Sequence, residues 1–386
     1  MDDLITEHCP NGVPFKAVGE LVLGSTNVKW SEVGDAEFRY IDLTSVDRVT
    51  HKITDPAVIT HESAPSRAQQ IVREGDVIFG TTRPTLQRYC VIPQGFDGQI
   101  ASTGYCVLRP NVDYLLTNFL FHLLGTATFY VFIEANERGA SYPAVPDSVV
   151  KGFRIPVPPI EVQLEIVRIL DTFTELEAEL EAELEARRQQ YDYYRESLLT
   201  LGERESIEWA PMGEVLDMRA GRFINAADLS TLRNISRPFP CFGGNGIRGY
   251  TSHASHEGEY VLIGRQGALC GNVKLARGSF YATEHAVVVT PSPHLDVRWV
   301  FHMLEHMNLN QYATKSAQPG LAVRTLEQLL LPVPPLTEQK RVARILDNFD
   351  ALANDLSIGL PAELAARRRQ YEHYRDRLLT FEEAVS

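Results

Sequence analysis

The sequence predicts an α+β fold in which two strand-rich mixed domains alternate with two long helices. A proline-rich element occurs twice, and each copy precedes a helix-like stretch with one apolar face. The remaining segments are short runs of Val, Ile and Tyr interrupted by Gly, Pro and Asn, which is typical of strands and turns. We therefore expect a pseudo-twofold internal repeat whose two helices pack as an antiparallel coiled-coil-like pair.

The repeat is clearest in the proline element and in the helix that follows it. The run PVPP at 156–159 recurs at 332–335, and RILD follows both copies at the same distance. Further along, ARRQQY at 186–191 corresponds to ARRRQY at 366–371. The offset between copies grows from 176 to 180 residues along the repeat. The second helix therefore carries about one extra turn, or ~6 Å.

Apolar residues in each helical copy are spaced three and four apart, which places them on one face. Neither face is stable in water alone, so we expect each helix to cover the other. Pro361 lies inside the second pattern, so we expect a kink or a short break there. The positions that we expect to pair the helices and to support docking are Leu176, Leu180, Leu184 and Tyr191, with Leu352, Leu356, Leu364 and Tyr371.

The repeat divides the chain into four predicted segments. These are a first domain at 1–155, a central helix at 156–205, a second domain at 206–331 and a C-terminal helix at 332–386. The domains also correspond faintly, since Phe-His-x-Leu occurs near the end of both. We therefore expect two related domains that differ mainly in their loops.

The net charge of −13 argues against autonomous tight binding to phosphates, but the acidity is unevenly distributed. The first domain (1–155) carries −5, the second (211–331) carries +2, and the C-terminal helix (332–386) carries −1. The segment 156–210 carries −9, with glutamates that we expect to form a solvated flank of the helix. Most of the negative charge therefore need not face a ligand.

Several features predict a cytoplasmic location. The five cysteines form no CxxC pair, which argues against a disulfide framework and against a thiolate metal site. The start of the chain is acidic where a secretory signal would be basic. The run 115–133 is membrane-like, but it contains Asn118, His122 and Gly125, so we expect a buried helix.

No catalytic pattern is apparent. The sequence has no GxxxxGK[ST] phosphate loop, no GxSxG elbow and no [DNS]PP[YF] motif. His302 and His306 have zinc-helix spacing, but Met303 occupies the position where HExxH needs Glu. We therefore expect structural histidines, no metal, no cofactor and no catalytic residues in this chain.

Two groups of loop residues are candidates for contacts with DNA bases. Asn, Gln and Arg side chains can form paired hydrogen bonds with base edges, and glycines allow a backbone to approach closely. The alternative is that these segments are only tight hairpin loops. The candidates are Thr81, Thr82, Arg83, Gln87 and Arg88 in the first domain, and Gly244, Asn245, Gly246, Arg248, Tyr250, Arg265 and Gln266 in the second.

The chain resembles the specificity subunits of type I restriction-modification enzymes. The resemblance rests on the duplicated PxPPxxxQ element at 156–163 and 332–339, the repeated ARRxQY motif and the stretch 354–363. The CPNGV run at 9–13 and the FGGNGIRGY loop at 242–250 also look like this family. Together these motifs span nearly the whole chain.

The resemblance implies that each domain reads one half of a bipartite, asymmetric DNA site while the helices set the spacer. It also implies docking of two modification subunits, which use S-adenosylmethionine to methylate adenine, and of an ATP-driven restriction subunit. The chain itself would then be non-catalytic and hold no cofactor. The main alternative is a coiled-coil scaffold that binds proteins without reading DNA.

Overall fold

The structure is a computed structural model that divides into two compact units. Unit 1 comprises residues 1–180 and 364–386, and unit 2 comprises residues 181–363. Each unit therefore combines one strand-rich domain with parts of both helical segments. The residues that the structure describes are 8–139, 141–200, 207–267, 269–315, 319–354 and 359–384.

The secondary structure follows the order expected from the repeat, with strands before each long helical segment. The strands in the described residues are β1 (Phe15–Ala17), β2 (Val22–Leu23), β3 (Thr26–Asn27), β4 (Phe38–Ile41), β5 (Ala57–Ile59), β6 (Ala68–Ile71), β7 (Val77–Gly80), β8 (Tyr89–Val91), β9 (Ile100–Ser102), β10 (Tyr105–Pro110), β11 (Arg154–Pro156), β12 (Glu208–Pro211), β13 (Leu216–Ala220), β14 (Phe239–Gly243), β15 (Gly246–Thr251), β16 (His256–Gly264), β17 (Val273–Ala282), β18 (Ala286–Pro291) and β19 (Leu330–Val333). The α-helices are α1 (Val18–Leu21), α2 (Thr117–Leu123), α3 (Ala127–Asn136), α4 (Asp147–Gly152), α5 (Ile160–Leu199), α6 (Met212–Val215), α7 (Val297–His306), α8 (Val323–Glu327), α9 (Leu336–Asn354) and α10 (Leu360–Leu378).

Unit 1 contains three small sheets in its described residues. Their strand orders are β1-β11, β2-β10-β7-β8 and β3-β6-β9-β4-β5, and only the β4–β9 pair is parallel. The largest core lies between the four-stranded sheet, α2, α3 and the start of α5. Phe119 and Phe129 are fully buried there, together with Val162, Ile166 and Leu170 of α5.

The run 115–133, predicted as one buried helix, is divided between α2 and α3. The break lies at Leu124–Thr126, where the Thr126 hydroxyl caps α3 by accepting a hydrogen bond from the Phe129 amide at 3.3 Å. Among the described residues, no single helix is long and apolar enough to cross a membrane. The bent pair α2–α3 meets the length and composition criteria only when its two helices are counted together.

Unit 2 is built on one six-stranded sheet of order β13-β18-β16-β17-β14-β15, accompanied by the pair β12-β19. All of its described strand pairs are antiparallel except β14–β17. Helix α7 covers one face of the sheet, and Trp299 is buried at the centre of this layer. Val342 and Leu346 of α9 complete the same core, so the helix and the domain share one hydrophobic interior.

The repeated helices pack against one another within each unit. In unit 1, Phe173 of α5 stacks on Tyr374 of α10 at 5.5 Å, and Glu177 pairs with Arg368. Residue numbers rise along one helix and fall along the other, which confirms the antiparallel arrangement. In unit 2, Tyr194 and Phe349, which correspond to Tyr374 and Phe173 in the repeat, stack with their ring centres 5.1 Å apart. The sequence repeat therefore corresponds to equivalent contacts between the long helices in the two units.

The predicted interruption of the second helix is present. Gly359 lies in a bend and α10 begins at Leu360, so Pro361 occupies the first turn of a new helix, where it costs no backbone hydrogen bond. Leu356, one of the predicted pairing positions, lies outside the described residues.

A glutamine of the duplicated proline element joins each helix to its domain. The Gln163 side chain is buried, donates to the carbonyls of Tyr114 and Pro158 at 2.9 Å, and accepts from the Leu116 amide at 3.0 Å. The equally buried Gln339 makes the same three bonds at 2.7–3.0 Å. Three backbone groups in each unit are therefore bonded by one buried side chain.

A histidine–aspartate pair forms a second joint in each unit. His122 of α2 bonds Asp171 of α5 at 2.9 Å, and His302 of α7 bonds Asp347 of α9 at 2.7 Å. Both histidines are almost completely buried. His302 therefore has a structural partner, as expected from the sequence.

Candidate nucleic-acid interface

The first candidate loop begins where β7 ends in unit 1. Arg83 and Gln87 have left-handed φ values of 49° and 55°, on either side of a short 3₁₀ turn at Pro84–Leu86. Few residues other than glycine adopt this conformation, so the local backbone is strained. Both side chains are exposed as a result. The structure thus presents Arg83 and Gln87 outward, as base contact requires.

Thr81 and Arg88 depart from the prediction that they contact DNA. Thr81 is 6% exposed, and its hydroxyl donates to the Gly104 carbonyl at 2.9 Å. The Arg88 guanidinium is half-buried and donates to the backbone carbonyls of Leu43 and Val46. Both side chains use their hydrogen-bonding groups inside unit 1, so they support the loop. Thr82, between the exposed and buried positions, is half-buried.

An aromatic residue that the sequence analysis missed lies beside Arg83. The Arg83 guanidinium lies 4.6 Å from the centre of the Tyr142 ring, and Tyr142 is 70% exposed. The Arg83 amide also donates to the Pro143 carbonyl at 2.7 Å. The two side chains form one exposed cation–π pair with a planar surface. The two residues are 59 positions apart in the sequence, and no local motif signals their contact.

The corresponding loop of unit 2 has the same backbone pairing. The Val145 amide bonds the Thr81 carbonyl at 3.0 Å in unit 1, and the Leu321 amide bonds the Arg265 carbonyl at 2.9 Å in unit 2. The Gly267 amide similarly donates to the Pro319 carbonyl, as Arg83 does to Pro143. The loops after β7 and β16 therefore occupy equivalent positions in the two units, and each pairs with a second segment.

In unit 2 the two predicted loops meet around one cavity of about 620 Å³. The hairpin between β14 and β15 packs directly on the end of β16. A Cβ on Gly264 would lie 1.8 Å from the Gly244 carbonyl oxygen, so only glycine permits this approach. The cavity brings together three predicted contact residues, Gly244, Asn245 and Gln266. Its full lining is Gly244, Asn245, Gln266, Gly267, Leu269, His285, Pro319 and Gly320.

Other predicted residues of unit 2 lie away from this cavity. Gly246 has a φ of 93° and forms the hairpin turn, and Arg248 is exposed on β15, the edge strand. Tyr250 lines a separate groove of about 470 Å³, with Arg233 and Arg277 also in its wall. The structure therefore groups the second-domain candidates into two places, a cavity and an edge groove.

Three buried polar atoms near the cavity have no hydrogen-bond partner in the described chain. They are Arg265 Nε, Glu284 Oε2 and His285 Nδ1. His285 lines the cavity, and its carbonyl accepts from the Arg265 amide at 2.9 Å. Unpaired buried polar atoms are costly, so they mark a place that water or a polar ligand completes.

Cys241 lies on β14, the strand that leads into the hairpin at the cavity. Burial raises the pKa of Cys241 to about 11, so its thiol stays neutral at physiological pH. Among the described residues, no group of three or more His, Cys, Asp or Glu side chains is arranged to hold a metal ion. The available chemistry consists of amide, guanidinium and backbone hydrogen bonds.

Comparison with known proteins gives a consistent pattern. Residues 38–186 and 207–366 match the family model described as "Type I restriction modification DNA specificity domain". The chain is 51% identical over 234 residues to the Escherichia coli type I restriction enzyme EcoprrI specificity subunit, covering 58% of each chain. The alignments span only 50–63% of the first curated relatives, EcoprrI among them.

Solved structures resemble the fold over most of its length. A chain from work on complex assembly and conformational transition of the type I R-M system has a TM-score of 0.64 and 27% identity, and the match covers 96% of this chain and 98% of that one. The HsdS subunit from Thermoanaerobacter tengcongensis has a TM-score of 0.50 and 27% identity, with coverages of 96% and 97%.

Proposed function

The chain belongs to the family of type I restriction-modification DNA specificity domains, and on this premise we propose that it is the subunit that recognises the DNA target of such a system. One observation carries the proposal. The two units have the same loop backbone pairing but present different side chains, with Arg83 in the first and Gln266 in the second. Two related supports with different contact residues suit a bipartite, asymmetric site.

The exposed residues of the long helices support docking of two modification subunits. Leu176 and Leu352 occupy equivalent positions of the repeat, and they are 42% and 39% exposed. By contrast, Leu184, Tyr191 and Leu364 are no more than 8% exposed, which leaves little of their side chains for a partner, and Tyr191 belongs to the core of unit 2. Leu180 and Tyr371 are half-buried. Two equivalent apolar positions suit two identical partners.

We assign methylation, S-adenosylmethionine and ATP to the partner subunits, and no catalytic residue or cofactor to this chain. The setting is the cytoplasm, where the DNA lies. Partner subunits that surround the DNA would supply many phosphate contacts, which accounts for a DNA-reading chain with a net charge of −13. The isolated chain should accordingly show a shallower salt dependence of DNA binding than the complex. Equal slopes would contradict this division of contacts.

The decisive experiment maps methylated adenines in the host genome with and without this gene. We expect one bipartite motif to lose methylation completely when the gene is deleted. A genome whose methylated motifs are unchanged would refute the proposal and favour the scaffold alternative. Family membership does not favour that alternative, because the matched model describes a DNA specificity domain.

The spacer role has its own test, which uses the helices. Adding or deleting one turn of α5 should change the accepted spacer length and leave the letters of both half-sites unchanged. Methylation of a duplex library with varied spacers measures both properties. Altered letters with an unchanged spacer would show that the helices do not set the distance.

A further inference from the structure

Asn245 is held by another asparagine that the sequence analysis did not single out. Asn272 Nδ2 donates a hydrogen bond to Asn245 Oδ1 at 2.7 Å. Asn245 is exposed at the turn between β14 and β15, and Asn272 directly precedes β17. Twenty-seven residues of sequence separate them. The contact therefore exists only because two turns of unit 2 meet.

The backbone around Asn272 is fixed by several hydrogen bonds. The Asn272 carbonyl accepts from the Gly264 amide at 2.9 Å, and the Gly271 amide donates to the Gly264 carbonyl at 2.6 Å. Gly271 has a φ of 88°, and a Cβ there would lie 2.4 Å from the Asn310 amide nitrogen. These constraints hold Asn272 in a position that few other backbones could provide.

The turn that carries Asn245 is fixed to the same glycine. The Gly244 carbonyl oxygen lies against Gly264, where no side chain would fit. Gly264 therefore contacts the turn of Asn245 through its Cα and the turn of Asn272 through its amide. The donor and the acceptor of the asparagine pair are positioned by one common point of the sheet, so the geometry is preorganised.

The hydrogen bond determines which end of the Asn245 amide is available to a ligand. An asparagine amide has one oxygen that accepts and one nitrogen that donates. Because Asn272 occupies the oxygen, Asn245 turns its Nδ2 donor away from Asn272, and no described residue accepts from that nitrogen. Asn245 also lines the 620 Å³ cavity. With this hydrogen bond formed, the second unit offers the Asn245 Nδ2 donor at the cavity.

We propose that Asn272 is a positioning residue that makes Asn245 select a base edge carrying a hydrogen-bond acceptor. This inference rests on the proposed DNA-reading function. In the major groove guanine and thymine offer acceptors and no donor, cytosine offers a donor, and adenine offers both. At one position of the half-site read by unit 2, the wild-type chain therefore favours guanine, thymine or adenine over cytosine.

Replacing Asn272 by aspartate should invert this preference. A carboxylate only accepts hydrogen bonds, so Asn245 would turn its Nδ2 toward Asp and present its Oδ1 to the base. Asn272→Asp should then favour cytosine or adenine at the same position. Asn272→Ala removes the orienting donor without reversing it, so it should relax that position, as Asn245→Ala does. We expect the original preference to fall at least about fivefold in each variant.

The test selects bound sequences from a duplex library with a randomised region, using the full tagged chain isolated with the subunits that copurify from its host. Gln311→Glu is the matched control, because it adds the same charge at an exposed site of unit 2 whose amide only donates to the Met307 carbonyl. The control should select the wild-type motif. If Asn272→Asp does not fold, Asn272→Ala decides the outcome.

The possible outcomes distinguish the positioning role of Asn272 from the proposed DNA-recognition function on which it rests. Selection of no motif by the wild-type chain would overturn both. A motif that Asn245→Ala relaxes while both Asn272 variants leave it unchanged would overturn the positioning role and preserve the function. A uniform loss across all letters in the Asn272 variants, with the control intact, would show that Asn272 is merely structural. Relaxation and inversion at a single position would establish the proposal.

Discussion

In both units a histidine–aspartate pair joins the long helix to the domain, but the side chains that surround the pair differ. In unit 1 the His122–Asp171 pair is completed by Tyr371, whose hydroxyl lies 2.8 Å from His122 Nδ1, and by Asn118 on the carboxylate. In unit 2 an arginine, Arg298, replaces the asparagine. Nδ1 of His302 has no partner in the described chain.

The proton positions in unit 1 follow from these contacts. The hydrogen bonds from His122 and Asn118 hold the pKa of Asp171 below its ordinary value, although burial alone would raise it. Burial lowers the pKa of His122, so a neutral imidazole donates from Nε2 to the carboxylate and accepts from Tyr371 at Nδ1. In unit 1 the Asp171 carboxylate is therefore held by uncharged donors.

The joint of unit 2 relies on charge. Arg298 donates from Nε to Asp347 at 2.9 Å, and the exposed fractions of the two side chains are 19% and 27%. Arg298 and His302 lower the pKa of Asp347 against the opposing effect of burial. The equivalent carboxylates are thus bound by uncharged donors in unit 1 and by a guanidinium in unit 2. Removing the carboxylate should therefore lower the stability of the two units by different amounts.

The largest expected difference concerns the aspartates. Asp347→Ala leaves a mostly buried guanidinium with Glu259, 3.5 Å away, as its remaining carboxylate partner, which should cost unit 2 about 3 kcal/mol. Asp171→Ala leaves only neutral donors unpaired, so unit 1 should lose about 2 kcal/mol. Hydrogen exchange of α7 and α2 in the full chain measures each loss locally. Equal losses of stability in the two variants would show that the charge of Arg298 does not distinguish unit 2 from unit 1.

The two glutamines provide the matched control for this comparison. Gln163 and Gln339 make identical sets of hydrogen bonds, so replacing either by alanine should cost about 2 kcal/mol in its own unit. Unequal losses here would indicate that the units differ in general stability, and the aspartate values would then need to be compared relative to the glutamine values.

The next effect is the pH dependence of unit 1. The pKa of His122 lies below its ordinary value of 6.5, so below pH 6.5 the unfolded chain takes up a proton that the folded unit does not. The free energy of unfolding should therefore fall as pH falls, by up to about 1.4 kcal/mol per pH unit from this group. Urea unfolding between about pH 7 and about pH 5.5 measures the slope. His122→Gln should make the slope shallower, and an unchanged slope would exclude His122 as its source.

The smallest effect concerns the repeat-related tyrosines. Tyr371→Phe removes the hydroxyl that lies 2.8 Å from His122 Nδ1 and should cost unit 1 about 1 kcal/mol. Tyr191→Phe should change unit 2 by less, because His302 Nδ1 accepts nothing in the described structure. Thermal unfolding of the two variants measures the difference. A greater loss in Tyr191→Phe would reverse the assignment.

The sequence predicted the repeated architecture well and the contact residues less completely. The duplicated proline element, the break near Pro361 and the correspondence of His122 with His302 are all present in the structure. Among the predicted contact residues, Arg83 and Asn245 are exposed at loop tips, whereas Thr81 is buried. Composition identified the loops, but it could not show which side chains face inward.

What the sequence determined by itself is the order of domains and helices, because apolar periodicity and turn residues act over a few neighbouring positions and the repeat doubles the signal. Only the tertiary structure decided which distant residues meet. Tyr142 reaches Arg83 and Asn272 reaches Asn245 through turns that pack together. Such contacts depend on sheet registers and on glycines such as Gly264. The need for glycine at this position arises only because a second backbone packs against it in the folded chain.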